Sequence, residues 1–333
     1  MLSFGIIGTS WITESFIISA ESTGLWKLAA VYSRSSQKAE EFIQKNSYNV
    51  STIHTTIDSL AKDSSVQAVY VASPNSLHYE HVKTLLQADK HVIVEKPATS
   101  TSKEYAELSK LAKERKVFLI EAYRHLQESN FSLLKQSLHK LGHIYGASLT
   151  YASYSSRYNN VLAGEVPNIF NLDLSGGSLV DLGVYPVSFA VALFGKPESA
   201  SYKPVLIPSG ADAGGIIVLN YKDFGVSINA SKCYTSTAPS EIYGQNGTFI
   251  LNGTTDIDRV DFLDAKSKKM ESLAGKKADL NLSEEAKEFA RIIEEGDWEA
   301  AERLTEIGRQ VTEVTEDLRH QNGIVFGVEK QHA

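Results

Sequence analysis

The chain has a single cysteine, Cys233, so it has no internal disulfide framework, and one thiol suits a reducing cytoplasm. It also lacks net positive charge: a balance of -7 speaks against nucleic acid or an anionic membrane as the main partner. No apolar run approaches the roughly 20 residues of a membrane span. The N-terminus carries no basic leader, and its apolar residues are needed for a first strand. Internal repeats and low-complexity tracts are missing, and no His, Cys and Asp cluster has the spacing of a metal site. The expectation is a soluble cytoplasmic protein that binds neither metal, nucleic acid nor membrane. With 333 residues, 42% hydrophobic and 22% charged, the chain is long enough for two domains.

What is present begins with an alternation. Apolar, strand-like runs at 2–7, 28–32, 52–54, 68–72, 91–94 and 117–123 are separated by helical spacing at 11–22, 36–46, 78–88 and 102–115. That rhythm implies βαβ crossovers and a doubly wound parallel sheet. After residue 123 it changes. A helix over 127–138 and a strand over 144–154 precede a loop at 155–178 rich in Asn, Gly and Ser. A buried helix over 179–194 then stops at Gly195-Lys196-Pro197. Strands at 215–221, 225–233, 241–243, 248–251 and 260–263 have short connections, which predicts an antiparallel sheet. Residues 265–278 read as a Lys-rich surface loop, followed by helices at 284–294 and 298–319. The fold class is therefore an α/β domain over 1–123 and an α+β domain with a large, mainly antiparallel open sheet over 124–333. The C-terminal helices are free to return to the first domain.

Val94-Glu95-Lys96-Pro97 ends the fifth strand with a charged pair and a proline, at the end of a parallel sheet where ligands bind. Lys96 is the first candidate for chemistry, and Glu95 stands beside it. Gly8-Thr9-Ser10-Trp11-Ile12-Thr13 occupies the place of a dinucleotide fingerprint, between first strand and first helix. Only Gly8 matches the glycines of that pattern; Ser10 and Thr13 replace the others. The alternative is an ordinary tight turn. Tyr32-Ser33-Arg34-Ser35 follows the second strand without the acid that holds an NAD ribose. Ser33, Arg34 and Lys38 suit a 2′-phosphate instead, which favours NADP with NAD still possible. Alternatively Arg34 is a solvated loop residue. Ser73-Pro74-Asn75 should pass the same crevice or merely turn the chain, and His78 and His81 read as surface or packing residues. In the second half, Gly176-Gly177 precede Asp181 and Tyr185, which a helix would place on one face as i and i+4 neighbours.

These segments, with Tyr70-Val71-Ala72-Ser73-Pro74-Asn75 and Glu121-Ala122-Tyr123, resemble the Gfo/Idh/MocA oxidoreductase family over almost the whole chain. The resemblance implies a Rossmann domain, then an α/β domain whose open sheet mediates oligomerisation, here a dimer. It implies hydride transfer between NAD or NADP and a sugar, polyol or diol, with Lys96 near the nicotinamide and the reacting oxygen. Tyr185, where many members have His, is similar to the dihydrodiol dehydrogenase/D-xylose dehydrogenase branch, which is NADP-linked. Tyr185 would then be the acid/base on the substrate oxygen. A phenol's ordinary pKa is about 10, and a neighbouring ammonium such as Lys96 favours its anion. Asp181 would orient the substrate hydroxyl or Lys96, while Arg124, His125, Tyr158 and Asn159 are assigned to the pocket by position. A non-catalytic dinucleotide sensor or scaffold is the competing reading, which the set Lys96, Asp181 and Tyr185 argues against. A third reading, elimination driven by transient oxidation, requires tightly held NAD, from which Arg34 points away.

Overall fold

The computed structural model describes residues 1–330. The described residues form two compact units, one of Met1–Ala122 with Ala278–Arg309, the other of Tyr123–Lys277 with residues 310–330.

In the first unit, β1 (Leu2–Ile7), β2 (Trp26–Tyr32), β3 (Thr52–His54), β4 (Ala68–Val71), β5 (His91–Val94) and β6 (Leu119–Glu121) form one sheet in the order β3-β2-β1-β4-β5-β6. Every pairing is parallel. Uninterrupted apolar strands such as Ala-Val-Tyr-Val of β4, buried along their whole length, are what a sheet covered on both faces requires. Strand order reverses between β1 and β4, and the crevice at the carboxyl ends of such strands is where ligands bind in open α/β sheets. The intervening helices begin where hydroxyls cap them. Ser35 accepts from the Lys38 N–H, and Thr101 with Glu104 forms a reciprocal capping box. A one-turn helix, Ile57–Ala61, is too short to show a period in the sequence. One covering helix comes from late in the chain. Ser283–Glu295 buries Ala286, Phe289, Ala290 and Ile292 in the same core as Phe4, Phe16 and Trp26. The Trp26 indole N–H donates to the Ala286 carbonyl at 2.7 Å.

The second unit is built on β7 (Ile144–Ala152), β8 (Ser199–Leu206), β9 (Asp212–Asn220), β10 (Gly225–Ser231), β11 (Ser240–Gly244), β12 (Gly247–Leu251), β13 (Val260–Asp264) and β14 (Met270–Ser272). Their order is β14-β13-β12-β11-β7-β10-β9-β8, and β7 pairs parallel with β10 inside an otherwise antiparallel sheet. Along β9, Ile217 and Leu219 are buried while Ile216 and Val218 are exposed, so one face is packed and the other open. Two strands, β8 and β14, depart from the sequence expectation. Pro204 and the polar or charged Ser199, Ser201 and Lys203 hide the first, and β14 is an exposed edge strand inside the Lys-rich segment.

The segment Leu172–Phe194 is also a correction: it is long and apolar enough to cross a membrane, yet most of it is buried inside the protein. Nor is 179–194 one continuous α-helix. Leu179–Gly183 is a π turn, and the α-helix runs from Val184 to Phe194.

Candidate active site

At the ligand-binding end of the parallel sheet the β1 turn is fixed by one glycine. Gly8 has φ +104°, and a Cβ there would meet the Ala72 carbonyl oxygen at 2.5 Å. Thr9, Ser10 and Trp11 are exposed beyond it, Ile12 is half-buried, and Thr13 is fully buried inside the helix Trp11–Ser22. Ser10 stands at the N-cap without its side chain capping the helix. The N-terminal N–H groups of this helix form the kind of terminus that binds anions. After β2, Arg34 and Lys38 are exposed; the Ser33 hydroxyl accepts from the Ser35 N–H at 3.3 Å. No carboxylate stands between Tyr32 and Lys38. These residues fit a dinucleotide: a backbone cradle that a side chain would fill, an anion-binding helix end, and cations where a 2′-phosphate would lie.

The turn after β4 is tied to the neighbouring helix, since the Ser73 hydroxyl bonds His81 Nδ1 at 3.0 Å. Burial, then the charge of Arg34, lowers the His81 pKa. Pro74 leads the turn Asn75–Leu77. After β5, Glu95 accepts from the Tyr70 hydroxyl at 2.5 Å, and the Tyr70 ring stacks on Phe16 with centroids 3.9 Å apart. Lys96 is half-buried beside it.

His78 is a buried link between these two turns. It is 1% exposed, with Nδ1 2.9 Å from the Pro97 carbonyl oxygen and Nε2 2.7 Å from that of Ser73. Burial pushes its pKa down to about 4, the two carbonyls work the other way, and the charges of His81 and Lys96 add to the fall. A carbonyl only accepts, so the doubly protonated ring alone donates to both; the neutral ring that burial favours donates to one.

In the second unit the π turn carries Asp181, and Tyr185 follows in the next turn. A π turn is wider than an α turn, so the expected i, i+4 stacking of this pair does not describe it. Asp181 instead accepts from the Lys232 ammonium, just past β10; Lys232 is largely buried and Asp181 about one-third exposed. The Tyr185 ring lies edge-on to His125 (5.0 Å) and Tyr151 (5.4 Å), with the Arg124 guanidinium carbon 5.9 Å from its centroid. Burial opposes the charge on Arg124, but its 2.6 Å bond to Asp256 and the charges of Tyr185, Asp256 and Glu128 outweigh that and raise its pKa. For Asp256 burial likewise opposes ionisation, and bonds from Arg124 and Lys277 bring its carboxyl down to about 2. Ser188 donates to the Val184 carbonyl at 2.7 Å, so His125 Nε2–H donates to the Ser188 oxygen at 2.9 Å.

Behind the π turn sits a buried carboxylate. Asp212 accepts from the Leu179 N–H at 2.6 Å and from the Tyr202 hydroxyl at 2.7 Å. Burial raises its pKa against those two donors. A Cβ on Gly177 would meet Asp212 Oδ1 at 2.3 Å, and one on Gly176 the Asn168 carbonyl oxygen at 2.8 Å. The glycine pair is therefore required by close packing beneath the site.

Of the residues assigned to a pocket by position, Arg124 and His125 touch Tyr185. Tyr158 packs against Tyr154 and Phe170, and Asn159 accepts from the Tyr154 hydroxyl at 2.7 Å. The loop that carries them is anchored by the Ser155 N–H, which donates to the Lys232 carbonyl. Lys232, Asp212 and Tyr151 are absent from the sequence reading, and nothing in their local sequence marks them. They become partners only when β7, β9 and β10 lie side by side.

The fold agrees with comparisons to known proteins. A model for the GFO/IDH/MocA "oxidoreductase family, NAD-binding Rossmann fold" matches residues 2–123, and one for the GFO/IDH/MocA C-terminal domain matches 137–250. The chain is 36% identical to "uncharacterized oxidoreductase YgjR" of Escherichia coli, covering 98% of each chain. It is 37% identical to scyllo-inositol 2-dehydrogenase (NADP(+)) IolU of Bacillus subtilis, again over 98% of each. Among solved structures it is similar in fold to KijD10, a 3-ketoreductase from Actinomadura kijaniata in complex with NADP. That match has a TM-score of 0.79 at 21% identity, covering 96% of this chain and 97% of that one.

Proposed function

The chain belongs to the Gfo/Idh/MocA oxidoreductase family, and from that premise we propose that it is an NADP-dependent dehydrogenase or reductase acting on a CH–OH group of a sugar, polyol or diol. The observation that carries this reading is the Tyr185 cluster: a phenol bordered by a guanidinium and an imidazole, on the helix that directly follows the π turn bearing the Asp181–Lys232 ion pair.

The cofactor, when bound, supplies or takes the hydride, and the protein's own work is to place the substrate and move one proton. Tyr185 is the proposed acid/base on the reacting oxygen. The fixed positive charge of Arg124 stabilises the phenolate that forms when Tyr185 gives up its proton. Asp181 accepts from a substrate hydroxyl and Lys232 donates to one, so the pair can hold neighbouring hydroxyls of a polyol. Lys96 is the proposed electrostatic assistant of Tyr185. Arg34 with Ser33 and Lys38 supports NADP over NAD, in line with the NADP(+) in the name of the Bacillus subtilis relative. We further propose that the open face of the eight-stranded sheet, where Ile216 and Val218 are exposed, pairs with a second copy.

The test is a fluorescence titration with NADPH and separately with NADH, followed by turnover on a panel of inositols, aldoses and diols. The reading expects tighter NADPH binding, turnover of at least one panel member, and a fall of roughly 100-fold or more in Tyr185→Phe with cofactor affinity kept. Absence of binding by either nucleotide refutes it.

A further inference from the structure

A buried carboxylate outside the Tyr185 cluster holds the segment that bears Lys96. Glu121 ends β6 and is 4% exposed, and its Oε1 accepts from the Ala98 N–H at 2.9 Å, two residues beyond Lys96. A carboxylate removed from water is costly, so its retention calls for a structural or functional return. Its surroundings are built to a close tolerance. In the helix Trp298–His320, Gly308 sits where a Cβ would meet Glu121 Oε2 at 2.6 Å and the Tyr105 hydroxyl at 2.1 Å. Burial and then the charge of Glu121 raise the Tyr105 pKa, which keeps that phenol protonated beside the carboxylate. The next residues are also fastened, since the Ser100 and Thr101 N–H groups donate to Glu104.

We infer that Glu121 is a positioning residue: through the Ala98 amide it fixes the path of the chain immediately after Lys96, so that the ammonium is presented in one place. This rests on the reading that Lys96 works at a nicotinamide site. A buried hydrogen bond is costly to lose, and a main-chain N–H two residues from Lys96 transmits the constraint directly.

The experiment compares the wild-type protein with Glu121→Ala, Glu121→Gln and Glu121→Leu, by amide hydrogen exchange at Ala98 and Ile93 and by NADPH titration. Glu121→Ala should raise exchange at Ala98 by roughly tenfold or more while leaving Ile93, in the middle of β5, unchanged. It should also weaken NADPH binding, whereas Glu121→Gln, whose amide oxygen still accepts, should restore both towards wild type. Should the alanine variant not fold, Glu121→Leu fills the space without an acceptor and serves the same comparison. Equal loosening of Ala98 and Ile93 would mean a general structural role and overturn the inference, as would unchanged exchange at Ala98. Failure of the wild-type protein to bind NADPH, with the exchange pattern as expected, would instead refute the reading of the site and leave the clamp standing.

Discussion

Acidification should unfold the first unit through His78, and the size of the effect follows from its burial. The folded ring takes a proton only near pH 4, against an ordinary value of 6.5. Between those values the unfolded chain binds more protons than the folded one, so stability is full above about 6.5 and falls as the pH drops towards 4. The gap corresponds to about 3 kcal/mol at about 1.4 kcal/mol per pH unit. All three tryptophans, Trp11, Trp26 and Trp298, belong to the unit that contains His78. Urea unfolding followed by tryptophan fluorescence at a series of pH values from 7 to 4.5 therefore reports on that unit. Asp63, held down to about 2 mainly by its bond from Ser65, lies in the same unit but loses stability only at lower pH. The informative quantity is the wild-type stability minus that of His78→Phe, which lacks the titrating ring. It should shrink on acidification by an amount approaching about 1.4 kcal/mol per pH unit. A difference that stays flat or grows would refute the argument, because it would mean that the ring is already doubly protonated and bridges both the Ser73 and Pro97 carbonyls.

Three further outcomes are expected. Arg34→Ala should weaken NADPH binding by roughly ten- to a hundredfold, the worth of a charge-assisted phosphate contact, and leave NADH binding unchanged in the same titration. Lys232→Met should remove the ammonium that Asp181 accepts from and lower turnover roughly tenfold or more with NADPH affinity kept, as steady-state kinetics beside nucleotide titration will show. Gly177→Ala drives a methyl group into Asp212 and should cost on the order of 2–3 kcal/mol, read as a lowered melting temperature.

The parallel sheet was legible because its strands are short apolar runs bounded by caps and turns, as at Ala68–Val71 followed by Ser73-Pro74. Much of the second sheet could be read from the alternation in β9 and β10, but β8 and β14 could not, since an edge strand need not be apolar. The run at 179–194 announced a buried helix, yet apolar spacing does not distinguish a π turn from an α turn, and the relation of Asp181 to Tyr185 depended on that difference. Lys232 follows Ser231 at a strand end and reads locally as a turn lysine; its partner Asp181 lies 51 residues away. His78 read as a surface or packing residue because helical position alone does not say which carbonyls close over a ring.

The return of Ser283–Glu295 to the first sheet also sets an order of events during synthesis. When the first 122 residues have left the ribosome, Phe4, Phe16 and Trp26 still lack the covering side chains of Ala286, Phe289 and Ala290. The acceptor for the Trp26 indole is translated 260 residues after it. At about 5–20 residues per second that interval is roughly 10–50 s, far longer than hydrophobic collapse takes. The nascent nucleotide-binding half therefore waits with an open apolar flank, and a gene fragment ending near residue 123 would encode a sticky, incomplete domain.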